Sequence, residues 1–232
     1  ALDVREKAIK IAAYMLEAAE EDIELEGGKA FVRGVPEMSR TLGEIAHAVA
    51  GSPGFAMPPG FEPGLEATHY FSPSQSAYCN GTHIAEVEVD IETGHVDLLR
   101  YVIAHDSGNL INPMIVDGQV QGGLAHGIGN ALFEEQFFDE NANPLTTTFA
   151  EYLIPGAGDV LDAETIHIES PSPLNPLGVK GAGEGGTIPA AASVIAAVEN
   201  ALKPFDPQIM NVPVTPSQIV EAVRAGMSPQ VV

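Results

Sequence analysis

One carboxylate in this sequence is surrounded by residues that would let a ligand come close to it. Glu184 lies in Asn175-Pro-Leu-Gly-Val-Lys-Gly-Ala-Gly-Glu-Gly-Gly-Thr-Ile-Pro189, between Gly181, Gly183, Gly185 and Gly186. Glycine admits close backbone approach and backbone conformations closed to other residues. A helix predicted to start at Thr187, with Pro189 in its first turn, would turn its N–H groups and positive dipole end toward this loop. A lone acid in a tight, donor-rich loop suits a general base or a partner of the helix dipole. The same string also reads as a glycine-rich turn with a solvated glutamate, and a short motif alone does not separate the two. Gly181-Ala-Gly-Glu-Gly-Gly186 matches the GxGxxG dinucleotide pattern. The preceding strand is expected to end near Glu169, however, too far upstream for a strand–turn–helix unit, and no βαβ continuation follows.

The second segment of interest is Asp117-Gly-Gln-Val-Gln-Gly-Gly-Leu-Ala-His-Gly-Ile-Gly-Asn-Ala-Leu-Phe-Glu-Glu135. It lies in a predicted helix from Met114 to about Gln136, and carries glycines at 118, 122, 123, 127 and 129. Each costs an isolated helix about 1 kcal/mol against alanine, so something must pack or bind closely along it. Gln119 and Gln121 offer amides that could pair with the edge of a heterocycle. Close packing of the bare face against another helix is the alternative.

The other chemistry-bearing residue types are scattered. The single cysteine, Cys79, has no internal disulfide partner, and no CxxC or Cys/His metal spacing occurs. Of the seven histidines, His83, His95 and His105 fall on or beside predicted strands and read as structural. A net charge of −22, from 32 acidic against 10 basic residues, argues against nucleic-acid or anionic-membrane binding. Phosphate on a ligand would have to be held by backbone N–H groups, helix N-termini or a partner chain. No signal peptide or membrane-length apolar run is visible, so a cytoplasmic location is the expectation.

The elements that must position these segments follow from periodicity. Apolar residues at helical spacing predict a helix over residues 3–21. A strand pair follows at 22–25 and 30–32 around Glu26-Gly27-Gly28-Lys29, then a helix from Ser39 to about Ala50. Residues 51–65, with four prolines and four glycines, read as an irregular connection. Alternation then predicts strands at Ile84–Val89 and Val96–Ala104 about a turn at Glu92-Thr93-Gly94. A short strand is expected at Thr165–Glu169, a helix to about Leu202, and a last helix from near Ser217. The expected class is α+β, mixed sheets with packed helices in two lobes dividing near residue 66. With 232 residues and 45% hydrophobic content, the chain can bury a sizeable core.

Taken together, the segments carry a resemblance. Asn175–Thr187 resembles the catalytic-glutamate loop, and Asp117–Glu135 the pterin-binding helix, of the xanthine dehydrogenase/aldehyde oxidase/carbon monoxide dehydrogenase large-subunit family, the molybdenum hydroxylases. Thr82–Gly94, Ala104–Pro113 and Tyr152-Leu-Ile-Pro155 fit the same family in the same order. The similarity extends over nearly the whole chain, and the wording of Asn175–Gly181 leans toward bacterial carbon monoxide dehydrogenase-like large subunits. Ser107 stands where many relatives of that family have cysteine.

The resemblance implies the C-terminal molybdopterin-binding portion of such a subunit. Residues 1–66 would form a helix–hairpin–helix lobe, and 67–232 the main lobe with the catalytic glutamate. Molybdenum would be held by a pterin dithiolene, with a cytosine dinucleotide form expected, rather than by protein side chains. Glu184 would stand beside the metal as base. Gln119, Gly122, Gly123, Lys180, Gly181 and Gly183 would contact the cofactor. The reaction implied is oxidation of an aldehyde, an N-heterocycle or carbon monoxide with water as oxygen source. Electrons would leave through iron–sulfur clusters and FAD on partner domains or subunits. The implied partners are the N-terminal portion of the large subunit, an iron–sulfur subunit and an FAD subunit. Because the family's subunit is several times longer, the chain is expected to be a fragment or one product of a split subunit, inactive alone. The rival reading is a non-catalytic cofactor-domain fragment or assembly module, against which the intact loop around Glu184 counts.

Overall fold

The computed structural model describes residues 1–51 and 59–227. The chain divides into two compact units, Ala1–Ser72 and Pro73–Val232. In the first, helix α1 (Leu2–Leu16) buries Ala8, Ile11, Ala12 and Leu16 and stops at Glu17, which adopts a left-handed conformation. Strands β1 (Ile23–Glu26) and β2 (Lys29–Val32) form the expected hairpin through Gly27 and Gly28, both at positive φ. A third antiparallel strand, β3 (Val35–Thr41), extends this sheet where the sequence suggested a helix from Ser39. Helix α2 (Leu42–Ala48) starts later because Thr41, not Ser39, caps it. The Thr41 hydroxyl accepts from the Glu44 amide at 3.1 Å, and the Glu44 carboxylate accepts from the Thr41 amide at 2.7 Å. Ile11, Ile23, Ala30, Ile45 and Val49 form the core. Of the irregular connection, residues 52–58 lie outside the described residues, and 59–65 form turns and bends.

The second unit is built on a long hairpin. Strands β4 (Asn80–Val89) and β5 (Val96–Asp106) pair antiparallel. Asp90 Oδ1 accepts from the amides of Glu92 and Thr93 at 2.8 and 3.1 Å in the turn. Strand β6 (Glu164–His167) adds in parallel on the far side of β5. Helix α3 (Pro113–Leu132) starts with Asn112 Oδ1 accepting from the Ile115 amide at 3.3 Å and Pro113 in its first turn. It ends before the expected Gln136, because the Phe133 and Glu134 amides both turn back to the Gly129 carbonyl. Helix α4 (Ala190–Ala201) packs on α3 and β4. Val116, Val120, Leu124 and Ile128 of α3 share a core with Tyr101 and Ile103 of β5 and Ala190 and Val194 of α4. Helix α5 (Pro216–Met227) closes a smaller core with Ile219 and Val223 against Val198 and Leu202. No described helix is long and apolar enough to cross a membrane.

Glycine decides how closely α3 meets α4. A Cβ at Gly127 would run into the Ala190 methyl, and one at Gly123 would lie 2.8 Å from the backbone of Gly186 and Thr187. The helix therefore gives up about 1 kcal/mol of propensity at each glycine in exchange for contact at backbone range. Gly127→Ala should lower stability by about 1–3 kcal/mol despite its better propensity, since the neighbouring methyl has no rotamer to move to. A urea midpoint at or above wild type would show that the contact relaxes freely.

Candidate functional site

The Glu184 loop is fixed strand by strand before it reaches the carboxylate. Asn175 folds it first, bonding both the carbonyl and the amide of Val179 at 2.8 and 3.0 Å. Gly178 turns at positive φ, and its carbonyl accepts from Asn109 and Ser172 at 3.1 and 3.0 Å. The Lys180 amide then donates to Ser107 O at 2.8 Å, and that of Gly181 to Ala77 O at 2.9 Å. The loop thus crosses the open end of the β4–β5 hairpin.

Beyond Glu184, two glycines are wedged between sheet and helix. A Cβ at Gly185 would strike the His105 ring and lie 3.2 Å from Cys79 Sγ, and one at Gly186 would strike the Val120 carbonyl of α3. Only glycine fits either position. The Thr187 and Ile188 amides donate to the Glu184 carbonyl at 3.0 and 3.1 Å, and α4 proper begins at Ala190 with Pro189 as an N-cap lacking a side-chain bond. The start expected at Thr187 is therefore a turn, and its amides anchor the Glu184 backbone instead of facing an external anion. The Glu184 side chain is exposed and has no hydrogen-bond partner among the described residues.

The structure brings Gln119 beside this loop, 3.8 Å from a Cβ placed on Gly183. Gln119 is exposed, and a Cβ at Gly118 or Gly122 would meet nothing within 4 Å among the described residues. Gln121 differs: its Nε2 donates to Leu161 O at 2.8 Å and its Oε1 accepts from the Ala163 amide at 3.3 Å, clamping a loop to α3. Gly123 faces inward, onto Gly186. The Lys180 ammonium is committed to Asp106 at 2.7 Å, with side chains only 15% and 8% exposed. Burial pushes the Asp106 carboxyl up, but Lys180 and the amides of Gly108 and Ser170 outweigh it, so its pKa is lowered.

The family model of the molybdopterin cofactor-binding domain matches residues 1–161. The chain belongs to this family. It is 42% identical over 95% of its length to the nicotine 6-hydroxylase large subunit of Paenarthrobacter nicotinovorans, and 39% identical over 78% to the carbon monoxide dehydrogenase large chain of Afipia carboxidovorans. The crystal structure of quinoline 2-oxidoreductase from Pseudomonas putida 86 superimposes with a TM-score of 0.78 at 42% identity, covering 95% of this chain and 28% of that one. The chain spans 27% and 22% of the length of the two large subunits.

The residues present fit a molybdopterin. On α3 the inward glycines 123 and 127 are accounted for by contacts, whereas Gly118 and Gly122 flank Gln119 over open space. Two helix-weakening residues at which a Cβ would meet nothing among the described residues, beside an exposed amide, leave room on this face for a flat polar group.

Sequence reading missed the polar floor beneath the loop. His83 Nδ1 bonds Tyr101 Oη at 3.0 Å, and His105 Nε2 bonds Ser107 Oγ at 2.5 Å. Their position on strands was visible, but not that the loop covers them. Burial lowers the pKa of His83, opposed by a backbone bond to Gly185 and aided by His105. Burial lowers that of His105 too, aided by His167 and opposed by Asp106.

Gly122→Ala should stabilise the cofactor-free protein by up to about 1 kcal/mol in urea unfolding; a loss would mean the face is already covered. Both imidazoles have folded pKa values below the ordinary 6.5. The unfolded chain therefore binds more protons below pH 6.5, and stability falls as pH drops from 6.5 through the depressed folded values. The His83→Asn/His105→Gln double variant should lose less stability than wild type between pH of about 7.5 and about 5. Equal losses in both proteins would remove the two histidines from the pH dependence.

Proposed function

We propose that this chain is the C-terminal part of the cofactor-carrying large subunit of a molybdenum hydroxylase, with Glu184 as its catalytic base. The observation that carries the reading is an exposed, unpartnered carboxylate on a backbone wedged by Gly185 and Gly186, beside Gln119 and the open glycine face of α3. An N-heterocycle is the favoured substrate class over an aldehyde or carbon monoxide, because the two relatives at 42% identity are named for nicotine and quinoline.

When bound, the molybdenum–pterin group supplies a two-electron acceptor and Lewis acidity toward a water-derived oxygen. Glu184 would accept the proton of the oxygen nucleophile as the C–O bond forms, while the electron pair of the broken substrate C–H bond would go to that two-electron acceptor. Its backbone is fixed in advance, so little reorganisation accompanies the proton transfer. The Gln119 amide, with Gly118 and Gly122 beside it and Gly181 and Gly183 in the facing loop, would hold the pterin, the amide supplying both a donor and an acceptor. Lys180 acts through Asp106, holding the loop down rather than reaching the cofactor with its ammonium. The cytosine dinucleotide form, the iron–sulfur and FAD subunits, and the remaining part of the large subunit complete the proposed enzyme, and the chain alone is inactive.

In the assembled enzyme, Glu184→Gln should fold, retain molybdenum and lose about 10²–10⁴-fold in kcat, with kcat/KM falling in parallel. A folded, metal-loaded variant with wild-type turnover would make Glu184 structural. Gly122→Leu and Gln119→Ala should each lower molybdenum content of the purified complex; unchanged metal in both would remove α3 from cofactor binding.

A further inference from the structure

The glycine loop rests on side chains that the base assignment does not use. His105 on β5 is paired with Gly81 of β4, while His83 is paired with Ile103, so the two histidines are diagonal neighbours on one face of the hairpin. The His105 ring lies directly under Gly185: a Cβ there would strike His105 Cε1 and come within 3.0 Å of Nδ1. His105 is 1% exposed, and its orientation is set by the 2.5 Å bond to Ser107 Oγ. His167, paired with His105 across the parallel β5–β6 ladder, meets it edge-on at 6.4 Å and is tied to α3 by Asp117 at 2.6 Å. Ser107 O also receives the Lys180 amide, so the residue that orients the ring holds the loop's entry as well.

We propose that His105 is a positioning residue for Glu184: its ring, oriented by Ser107, is the surface on which Gly185 is seated, and it sets where the preceding carboxylate stands. This rests on Glu184 acting as the base. Ordinary core packing would ask only for volume at this position. Here a polar ring with a specified orientation touches the backbone of the residue next to the base. The titratable groups beside it are His83 and Cys79 on the β4 side, Asp106 on β5 and His167 on β6, with Asp117 of α3 bonded to His167. A proton on His105 would bring a cation into a buried site next to two other imidazoles. Burial and His167 oppose that proton, so the ring is neutral near pH 7, and the loop keeps one seat there.

The test uses the complete enzyme with His105→Ala, His105→Gln and Glu184→Gln, read by kinetics, molybdenum content and amide exchange at Thr187 and Ile188, whose N–H groups bond the Glu184 carbonyl. His105→Ala should lower kcat about 10- to 100-fold with KM and metal content near wild type, the range that a slight misplacement of a reacting group costs. Exchange at 187 and 188 should speed up. His105→Gln, which can still bond Ser107, should recover most of the rate and, once intrinsic exchange rates are divided out, should lack the loss of protection at 187 and 188 expected of wild type as pH falls from about 7 to about 5. Wild-type kcat and exchange in His105→Ala, or loss of metal content with kcat intact, would overturn the proposal. Should that variant not fold, Ser107→Ala must show the same pattern, smaller in size, or the proposal fails. Full turnover in Glu184→Gln would instead sink the base assignment, while the exchange rates still decide whether His105 holds the loop.

Discussion

The site depends on one steric constraint, the fit of Gly185-Gly186 between a strand and a helix. On one side the His105 ring leaves no room for a Cβ, and on the other the Val120 carbonyl leaves none. A methyl at either position would push the loop off the sheet or the helix off the loop. The backbone of Glu184 inherits this fixity, because its carbonyl takes the two amides that follow the glycines. Preorganisation of this kind is costly in the unfolded chain, where glycines are most mobile, and is offset by the packed cores on either side. The core of Tyr101, Ile103, Val120, Leu124 and Val194 clamps hairpin and helix at the spacing the two glycines require.

Helix α3 serves both sides of this arrangement. Its inward glycines, 123 and 127, replace side-chain packing with backbone contact to Gly186 and Ala190. At its outward ones, 118 and 122, which flank Gln119, a Cβ would meet nothing within 4 Å among the described residues. A helix so weakened persists because its inward face is held by tertiary packing, not by propensity, while its outward glycines leave the face around Gln119 bare.

Much of this was legible in the sequence, and the failures have definite causes. The β4–β5 hairpin announced itself by alternation and by Glu92-Thr93-Gly94. Strand β3 did not, since Val35-Pro-Glu-Met-Ser-Arg-Thr41 lacks alternation and pairs through an irregular register near Phe31 and Val32. The cap at Thr41 was overlooked because Ser39 offered a competing start, although Glu44 three residues beyond Thr41 completes the capping box. Glu184 and Gln119 were singled out by their neighbours in sequence, and the fold brings their segments together; the ion pair of Lys180 with Asp106 could not be read, because the two are 74 residues apart. The polar floor of His83, His105 and Ser107 was invisible for the same reason: what makes it matter is a loop some eighty residues downstream folding over it.

The fixed loop is proposed to present the Glu184 carboxylate to the reacting centre beside the open face of α3. A crystal structure of the complete complex, loaded with cofactor and a substrate analogue, measures that directly. A Glu184 oxygen is expected within hydrogen-bond reach of the reacting centre, about 2.6–3.2 Å, with the pterin lying over Gly118, Gln119 and Gly122. A pterin elsewhere, with protein covering those glycines and Glu184 turned to solvent, would contradict it.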